Sequence, residues 1–315
     1  MSDFSPTEPG LTDIGQKVSI RLHEGAGFRD LLGTLEAPTT VRKKDGSLHH
    51  FEPREIAAWK VVAQLHGRAG TGAPTSIRIN ELEKTLEESW PAHENFSRGG
   101  WRYRISSGFT YRANSIIPAG KVPYGDPELS LDDELAFAVK KYREHGLTPS
   151  FHIPLPLYSE LDTELEKLGW QKIIDAQVMI ADTQDIPDHS LPDGFTYVHS
   201  TEISDRWLDV QGIHDGRRIM SSFPAIYLAI EYQGELIASA RVSVNQGWAI
   251  LSRIFISENF RGKGLSRPFL YEMVKVAAAP KVALQVDTAN EAAIHLYSTS
   301  GFRVHHSYRY RSLAQ

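Results

Sequence analysis

The turn from Arg261 to Gly264, with the sequence RGKG, is the first stretch whose residue types and spacing indicate chemistry. An apolar segment ending at Ile256 precedes this turn, and the helical pattern LSRPFLYEMV follows it at once. A strand, a glycine turn and a helix in this order direct backbone N–H groups towards an anion, because the first turn of a helix leaves about four donors unpaired and carries about half a positive charge. The turn therefore predicts a site for a phosphate-bearing ligand, with a merely solvated turn as the alternative.

Two common phosphate-binding motifs do not fit this turn. A P-loop needs a glycine, four further residues and then Gly-Lys, but Ser257 stands where its first glycine belongs. A dinucleotide fingerprint needs Gly or Ala three residues after Gly264, where the chain has Arg267. A ligand of the turn must therefore be of another kind.

A second stretch, NEAAIHLY from Asn290 to Tyr297 with GF at 301–302, lies one predicted helix and one predicted strand after the turn. The turn and this stretch together resemble the GNAT superfamily of acyl-CoA N-acyltransferases. The diphosphate-binding turn of that superfamily usually reads Arg or Gln, two residues, Gly, one residue, and Gly or Ala. Ser266 departs from the usual last residue but is also small. The resemblance covers about residues 190–311.

The resemblance implies that acetyl-CoA is the cosubstrate and that its diphosphate accepts hydrogen bonds from the turn amides. Arg261 is expected either to add a charge-assisted contact or to cap the turn. The pantetheine arm is expected to pair with the strand SRIFIS, which must then diverge from the strand VALQVDT. Asn290 is expected to cap its helix and to contact the coenzyme. The coenzyme-binding residues implied in this way are Ile254, Phe255, Ile256, Arg261, Gly262, Lys263, Gly264, Leu265, Ser266 and Asn290.

Tyr297 stands where the superfamily places the general acid for the departing thiolate, although a tyrosine packed on an amphipathic helix would show the same pattern. The amine attacks the thioester directly in this superfamily, so no protein nucleophile is needed, and the chain has no cysteine. The base that takes the amine proton is expected to be Glu231, with Glu235, Asp287 and Glu258 as the alternatives.

The segment from Gln211 to Phe223 falls where substrate loops lie in this superfamily. His214 and Asp215 are expected to recognise an amine and Arg217 an anionic group, a role that the neighbouring Arg218 could share. A solvated, charged surface is the alternative interpretation of the same residues.

Two histidine pairs, His49-His50 and His305-His306, are the candidates for a metal site. Both pairs fall on predicted strands, where neighbouring side chains point to opposite faces. One ion cannot readily bind both members of such a pair, so we expect no bound metal.

The overall composition narrows the class of protein. The chain has 315 residues, 41% of them hydrophobic, and a net charge of −5. It lacks the basic excess of a general nucleic-acid binder, an apolar signal core at its N-terminus and an apolar run of about 18 residues for a membrane span. We therefore expect a cytoplasmic protein that binds neither nucleic acid nor membrane.

The order of strand and helix patterns predicts an α/β (α+β) fold, with a GNAT-like mixed sheet flanked by helices. The whole chain also resembles a three-part actinobacterial type of GNAT protein, which combines a small Src-homology or Tudor-like barrel with two tandem acyltransferase-like halves. The predicted parts are a tail (1–14), a small all-β barrel module (15–65), a linker (66–76), a degenerate acyltransferase-like half without a glycine turn (77–186) and the GNAT acetyltransferase domain (187–315).

The expected function is acetyl-CoA-dependent acetylation of a primary amine, carried by a small molecule or by a protein. A mycothiol-synthase-like enzyme acting on a small molecule is a narrower alternative. A non-catalytic acyl-CoA-binding protein, whose N-terminal β module recruits a protein partner, is the alternative from another class.

Overall fold

The computed structural model describes residues 16–25, 27–43, 45–61 and 75–314, together with positions 9 and 14. The chain divides into two compact units, Met1–His66 and Gly67–Gln315. The predicted tail and linker fall almost entirely outside the described residues, so both stay predictions.

The N-terminal unit is a five-stranded antiparallel sheet in the order β4-β3-β2-β1-β5. Alternate residues of β1 are buried, namely Val18, Ile20 and Leu22, because successive side chains of a strand point to opposite faces. This sheet fits the small β module that the sequence predicts. Its strands are β1 (Lys17–Glu24), β2 (Gly27–Ala37), β3 (Thr40–Arg42), β4 (Leu48–His50) and β5 (Ile56–Val61).

The second unit is built on a mixed sheet of eleven strands with helices packed against it, in agreement with the predicted fold class. The strand order is β11-β12-β13-β14-β15-β10-β16-β9-β8-β7-β6. Its elements are α1 (Thr75–Glu88), β6 (Glu94–Arg98), β7 (Trp101–Ile105), β8 (Ile116–Pro118), α2 (Leu131–Glu144), β9 (Ser150–Leu155), α3 (Ser159–Lys167), β10 (Gln171–Asp182), β11 (Phe195–Ser200), α4 (Asp205–Gln211), α5 (Arg217–Met220), β12 (Ile226–Tyr232), β13 (Glu235–Asn245), β14 (Trp248–Ile256), α6 (Ser266–Ala277), β15 (Lys281–Asp287), α7 (Glu291–Thr299) and β16 (Arg303–Ser312).

The two predicted halves of this unit share the sheet. Strand β10 belongs to the first predicted half, yet it lies between β15 and β16 of the second and pairs with both. Strand β16 in turn pairs with β9 of the first half. A division at residues 186–187 therefore separates strands that are hydrogen-bonded neighbours, and as a domain boundary it stays a prediction.

Helix α6 packs its apolar face on strands β12, β13 and β14. Phe269, Leu270, Met273 and Val274 form that face and are buried, because residues four apart lie on the same side of a helix. This packing fixes where the helix begins, and hence where the glycine turn before it lies. Within the described part of the chain, no helix has the length and apolarity required to cross a bilayer.

Candidate acyl-coenzyme site

Strands β14 and β15 run in parallel and separate halfway along their length. They pair from Trp248 with Lys281 to Leu251 with Leu284, and from Ser252 onwards β14 pairs only with β13. The pairing of β14 with β13 also shifts register at this point, where Arg253 has a positive φ of 55°. The divergence expected between these two strands is therefore confirmed, and it leaves one edge of β14 open.

A cavity of about 530 Å³ lies where the strands diverge. Its walls come from both predicted halves of the unit. The residues from the C-terminal half are Gln211, Leu251, Ser252, Arg253, Ile254, Phe255, Leu284, Gln285, Val286, Asp287, Asn290, Ala293, Tyr297, Tyr308 and Tyr310. Those from the preceding half are Trp90, Thr110, Tyr111, Arg112, Ile174 and Ala176.

The glycine turn lies between β14 and α6. Gly262 and Gly264 have φ values of 74° and 77°, which favour glycine, and a Cβ on either would meet nothing within 4 Å. Among the described residues, no backbone carbonyl accepts a hydrogen bond from the N–H groups of residues 262–267. Pro268 has no N–H and sits in the first helical turn, where none is needed. The turn thus presents free donors to open space, as an anion site requires.

The side chains of the turn have distinct positions. The Arg261 Nε donates to the Ile256 carbonyl at 3.1 Å, so this arginine caps the turn, which is one of its two predicted roles. The Lys263 Nζ lies 4.6 Å from the centre of the Phe260 ring and is exposed to solvent. Leu265 is buried in the core beneath α6, so a ligand could meet only its backbone.

The three predicted strand residues lie at the open edge. Ile254 and Phe255 line the cavity, and Ile256 packs partly buried against the core. Since β15 has already diverged here, backbone groups on that side of β14 have no strand partner. This edge can accept an extended, amide-bearing arm in the way that a sheet accepts a further strand.

Tyr297 lines the cavity from helix α7. Its side chain is only 7% exposed and its ring lies 5.8 Å from that of Phe302. Burial raises the pKa of Tyr297 to about 12, so the phenol is protonated at neutral pH and can donate a hydrogen bond. Asn290 begins the helix by accepting a hydrogen bond from the Ala293 N–H at 3.1 Å, which confirms its predicted capping role. Asn290 also lines the cavity.

Glu231 does not line the cavity, which argues against its prediction as the base. Its carboxylate lies 3.3 Å from Arg206 on the other side of β13 from the open edge. Glu258 lies 3.6 Å from Arg261 and also stays outside the cavity, as does Glu235. Of the four carboxylates considered, Asp287 is the one that lines the cavity.

The predicted acceptor loop does not reach the cavity with its charged residues. His214 Nε2 lies 3.1 Å from Asp209, and Arg217 donates to the Ile203 carbonyl and to Asp205. Arg217 is therefore occupied by contacts within its own segment, and none of the predicted trio His214, Asp215 and Arg217 lines the cavity. Gln211, at the start of the same stretch, does line it and instead holds Arg253.

Sequence reasoning missed the aromatic and basic wall of the cavity, formed by Trp90, Tyr111, Arg112, Tyr308 and Tyr310. The rings of Tyr111 and Tyr310 lie 5.2 Å apart, so residues of the two predicted halves meet there. The dense aromatic and basic composition of WRYRISSGFTYR, residues 101–112, was the available signal. Spacing alone does not show that this stretch reaches the cavity.

The histidine pair at 305–306 does not follow simple strand alternation. Val178 pairs with His306 and Met179 with Val304, so His305 is the extra residue of a β-bulge. The two rings consequently approach with their Nδ1 atoms 2.8 Å apart, contrary to the expectation that they point to opposite faces. Across the described ranges, no group of three or more His, Asp or Glu side chains could hold a metal ion.

Comparisons with known proteins agree with this geometry. The family model described as "Probable histone acetyltransferase Rv0428c C-terminal" matches residues 75–311. The uncharacterized N-acetyltransferase YobR of Bacillus subtilis is 31% identical over 248 residues, which cover 74% of this chain and 98% of YobR.

Solved structures show the same fold at low sequence identity. A GCN5-related N-acetyltransferase from Kribbella flavida superposes with a TM-score of 0.61 at 13% identity, over 75% of this chain and 96% of its own. A tandem GNAT protein from the clavulanic acid biosynthesis pathway gives a TM-score of 0.51 at 12% identity, over 75% and 87% of the two chains. With its glycine turn, diverging strands and matched family model, the chain belongs to the GNAT superfamily of acyl-CoA N-acyltransferases.

Proposed function

We propose that this acetyltransferase moves the acetyl group of acetyl-CoA to a primary amine. The observation that carries the proposal is the cavity at the diverging ends of β14 and β15, which joins an open strand edge to the buried hydroxyl of Tyr297. The free backbone donors of the glycine turn lie directly after β14 along the chain.

The residues present fit the coenzyme. Backbone N–H groups of Lys263, Gly264, Leu265 and Ser266 would hold the diphosphate, with Gly262 allowing the turn to bend. The open edge of β14, at residues 254–256, would pair with the amides of the pantetheine arm. Asn290 has its Oδ1 engaged by the helix cap, which leaves its amide N–H₂ free to donate to the coenzyme.

Acetyl-CoA supplies an activated acyl group, which an amine attacks directly. The Tyr297 hydroxyl would donate a hydrogen bond to the sulfur as negative charge develops there. Because burial raises the pKa of Tyr297 to about 12, above the ordinary range of a thiol, full proton transfer from this phenol to the thiolate is unfavourable. Tyr297 therefore acts as a hydrogen-bond donor, and the thiolate takes its proton from solvent.

Asp287 would receive the proton that the amine loses, directly or through water. It is exposed at the end of β15 and lines the cavity, and its Oδ1 is oriented by the Ala289 N–H at 2.8 Å. A carboxylate held in this way can also attract the ammonium form of the substrate before deprotonation.

The decisive experiment is acetyl transfer from acetyl-CoA to a panel of small amines and peptides, run beside calorimetric titration of acetyl-CoA. We expect binding of acetyl-CoA and turnover with at least one amine. Binding without turnover on any amine would favour the non-catalytic alternative. Absence of acetyl-CoA binding would contradict the proposed site itself.

A further inference from the structure

Two arginines line the cavity without an acidic partner. Arg112 comes from the short 3₁₀ helix Tyr111–Ala113 and Arg253 from the irregular part of β14. In the part of the chain that the structure describes, neither guanidinium forms an ion pair with Asp or Glu. Unpaired guanidinium groups at the wall of a cavity indicate a negatively charged ligand.

Aromatic rings and one amide hold these two arginines in place. The Arg112 Cζ lies 5.2 Å from the centre of the Trp90 ring, and the Arg253 Cζ lies 5.6 Å from that of Phe109. The Arg253 Nε also donates to the Gln211 Oε1 at 2.8 Å. Stacking uses the flat face of a guanidinium and leaves its in-plane N–H groups available for a carboxylate or phosphate.

A third arginine, Arg241, lies nearby and has a structural role. Arg241 lies on the Trp90 ring at 5.2 Å and is fully buried. Its nitrogens donate to the carbonyls of Met220, Phe223 and Ser89 at 2.8, 3.1 and 3.2 Å. Arg241 is thus saturated by the protein and adds positive charge behind the cavity, whereas Arg112 and Arg253 face the cavity with donors to spare.

The electrostatics favour an anion between the two free arginines. Burial lowers the pKa of Arg253, and the charge of Arg112 lowers it further. A guanidinium group is positively charged at neutral pH. An anion placed between the two arginines would relieve this repulsion and gain charge-assisted hydrogen bonds.

The coenzyme does not supply that anion within the cavity. Its diphosphate would lie at residues 262–266, none of which lines the cavity, and its 3′-phosphate is carried by the adenosine on the far side of the diphosphate from the thioester. The pantetheine arm and the acetyl thioester, which would occupy the cavity, carry no charge. The negative group must therefore enter with the acceptor.

We propose that the acceptor is a small amine that also carries a carboxylate or phosphate, and that Arg112 and Arg253 bind this anionic group. The acceptor amine then lies towards Asp287 and Tyr297, which line the same cavity. This inference rests on the proposed acetyl transfer and adds the substrate class to it.

The test compares amines that differ only in charge. The first pair is 4-aminobutyrate and 4-aminobutyramide, and the second is phosphoethanolamine and ethanolamine. We expect kcat/KM to favour the anionic member of at least one pair by about ten- to hundredfold, the range of hydrogen bonds to charged groups. The pair with the larger ratio identifies the anion as carboxylate or phosphate.

Variants of Arg112 test whether the preference for anionic amines arises at the two arginines. Arg112→Gln is expected to abolish the ratio between charged and neutral amines, and Arg112→Lys to restore part of it. Arg143→Gln on the exposed face of α2 makes the same change of net charge away from the cavity and should keep the full ratio. Affinity for acetyl-CoA, measured by calorimetry, should stay within about twofold in all three variants.

Several outcomes would overturn the inference. These are equal kcat/KM for charged and neutral amines, a ratio that survives Arg112→Gln, or weakened acetyl-CoA binding in that variant. A preference for succinyl-CoA over acetyl-CoA that Arg112→Gln removes would place the anion on the acyl group instead.

If no amine is acetylated, acetyl transfer fails as a proposal, and calorimetry of 4-aminobutyrate and phosphoethanolamine with the CoA-loaded protein decides the anion site separately. Binding of either probe that Arg112→Gln abolishes supports the anion site, and absence of binding refutes it.

Discussion

The hydroxyl of Tyr297 is protonated far above neutral pH because its surroundings are dry. Removing it in Tyr297→Phe takes away one hydrogen bond to a developing charge. We expect kcat to fall by about ten- to hundredfold with little change in the KM for acetyl-CoA. Steady-state kinetics check this, with Tyr271→Phe on α6 as the matched control.

The pH profile of the same enzyme offers a separate readout of Tyr297. With a pKa of about 12, the phenol stays neutral across the assay range, so ionisation of Tyr297 should cause no loss of kcat below about pH 11. A loss of kcat near pH 9–10 that disappears in Tyr297→Phe would show that Tyr297 ionises there, which would contradict its raised pKa.

Substitution of Gly264 tests whether the backbone conformation of the turn matters for coenzyme binding. A β-branched side chain meets open space there but is strained at a φ of 77°, so Gly264→Val should displace the donors at a cost of about 1–2 kcal/mol. We expect the KM for acetyl-CoA to rise by about tenfold. Gly169→Val, at a φ of 85° and also in open space, is the control for strain without a ligand. An equal rise in KM for both variants would contradict a specific role of the glycine turn in coenzyme binding.

Sequence patterns predict some residues of the candidate site but not others. Tyr297 and Asn290 lie within one local motif, so spacing along the chain is enough to bring them together. Arg112 and Tyr310 reach the cavity from opposite ends of the unit, and only the strand order places them there. Glu231 as the base stays a prediction, and a carboxylate at a strand end gives no indication in the sequence of its partner Arg206.

Among the elements, helix α1 is tied to the sheet by a buried acid. Glu83 lies between His152 and His306, with oxygen-to-nitrogen distances of 3.1 and 2.7 Å. Burial opposes its ionisation, but the close contact with His152 and the hydrogen bond with His306 outweigh burial and hold the pKa of Glu83 well below its usual value. Removing the charge in Glu83→Gln should therefore destabilise the fold, by about 3–5 kcal/mol for a broken buried pair. Chemical denaturation measures this, with Glu81→Gln on the exposed side of α1 as control.

The same cluster predicts a loss of stability in acid. Burial lowers the pKa of His152, and burial together with His306 lowers the pKa of His305 to about 4. Below about pH 6.5 His152 and His305 are protonated in the unfolded chain but remain neutral in the folded protein. The free energy of unfolding should therefore fall as the pH drops from about 6.5 towards 4. Thermal unfolding at stepped pH checks this, and a midpoint independent of pH over that range would contradict it.

Local sequence predicts elements better than it predicts their neighbours. The dipeptides Gln233-Gly234 and Gln246-Gly247 are typical of turns, and all four residues have positive φ, as a tight hairpin turn between antiparallel strands requires. Helix α2 begins at the Ser130 cap and carries acidic residues in its first turn, a sequence pattern typical of a helix start. Nothing in the sequence of β10 indicates that it lies between β15 and β16, because strand order depends on long-range pairing.

For the whole molecule, this interlocking of strands has a direct consequence. A fragment of residues 187–315 would lose β10, and its β16 would lose both neighbouring strands. We expect this fragment to remain unfolded, while residues 67–315 fold with near-native circular dichroism. A cooperative thermal transition in the shorter fragment would show that the two halves are separable after all.

One short connection of the eleven-stranded sheet lies beside the cavity. Four residue pairs, Trp248 to Leu251 against Lys281 to Leu284, join its first four strands to the other seven. An acyl-CoA arm along the free edge of β14 would extend that connection, so the substrate completes the protein's own hydrogen bonding while it reacts. Loading should therefore protect the backbone amides of residues 252–256 against hydrogen exchange. Binding of the acyl-CoA and folding stability are then thermodynamically linked, so the loaded enzyme should resist unfolding better than the empty one.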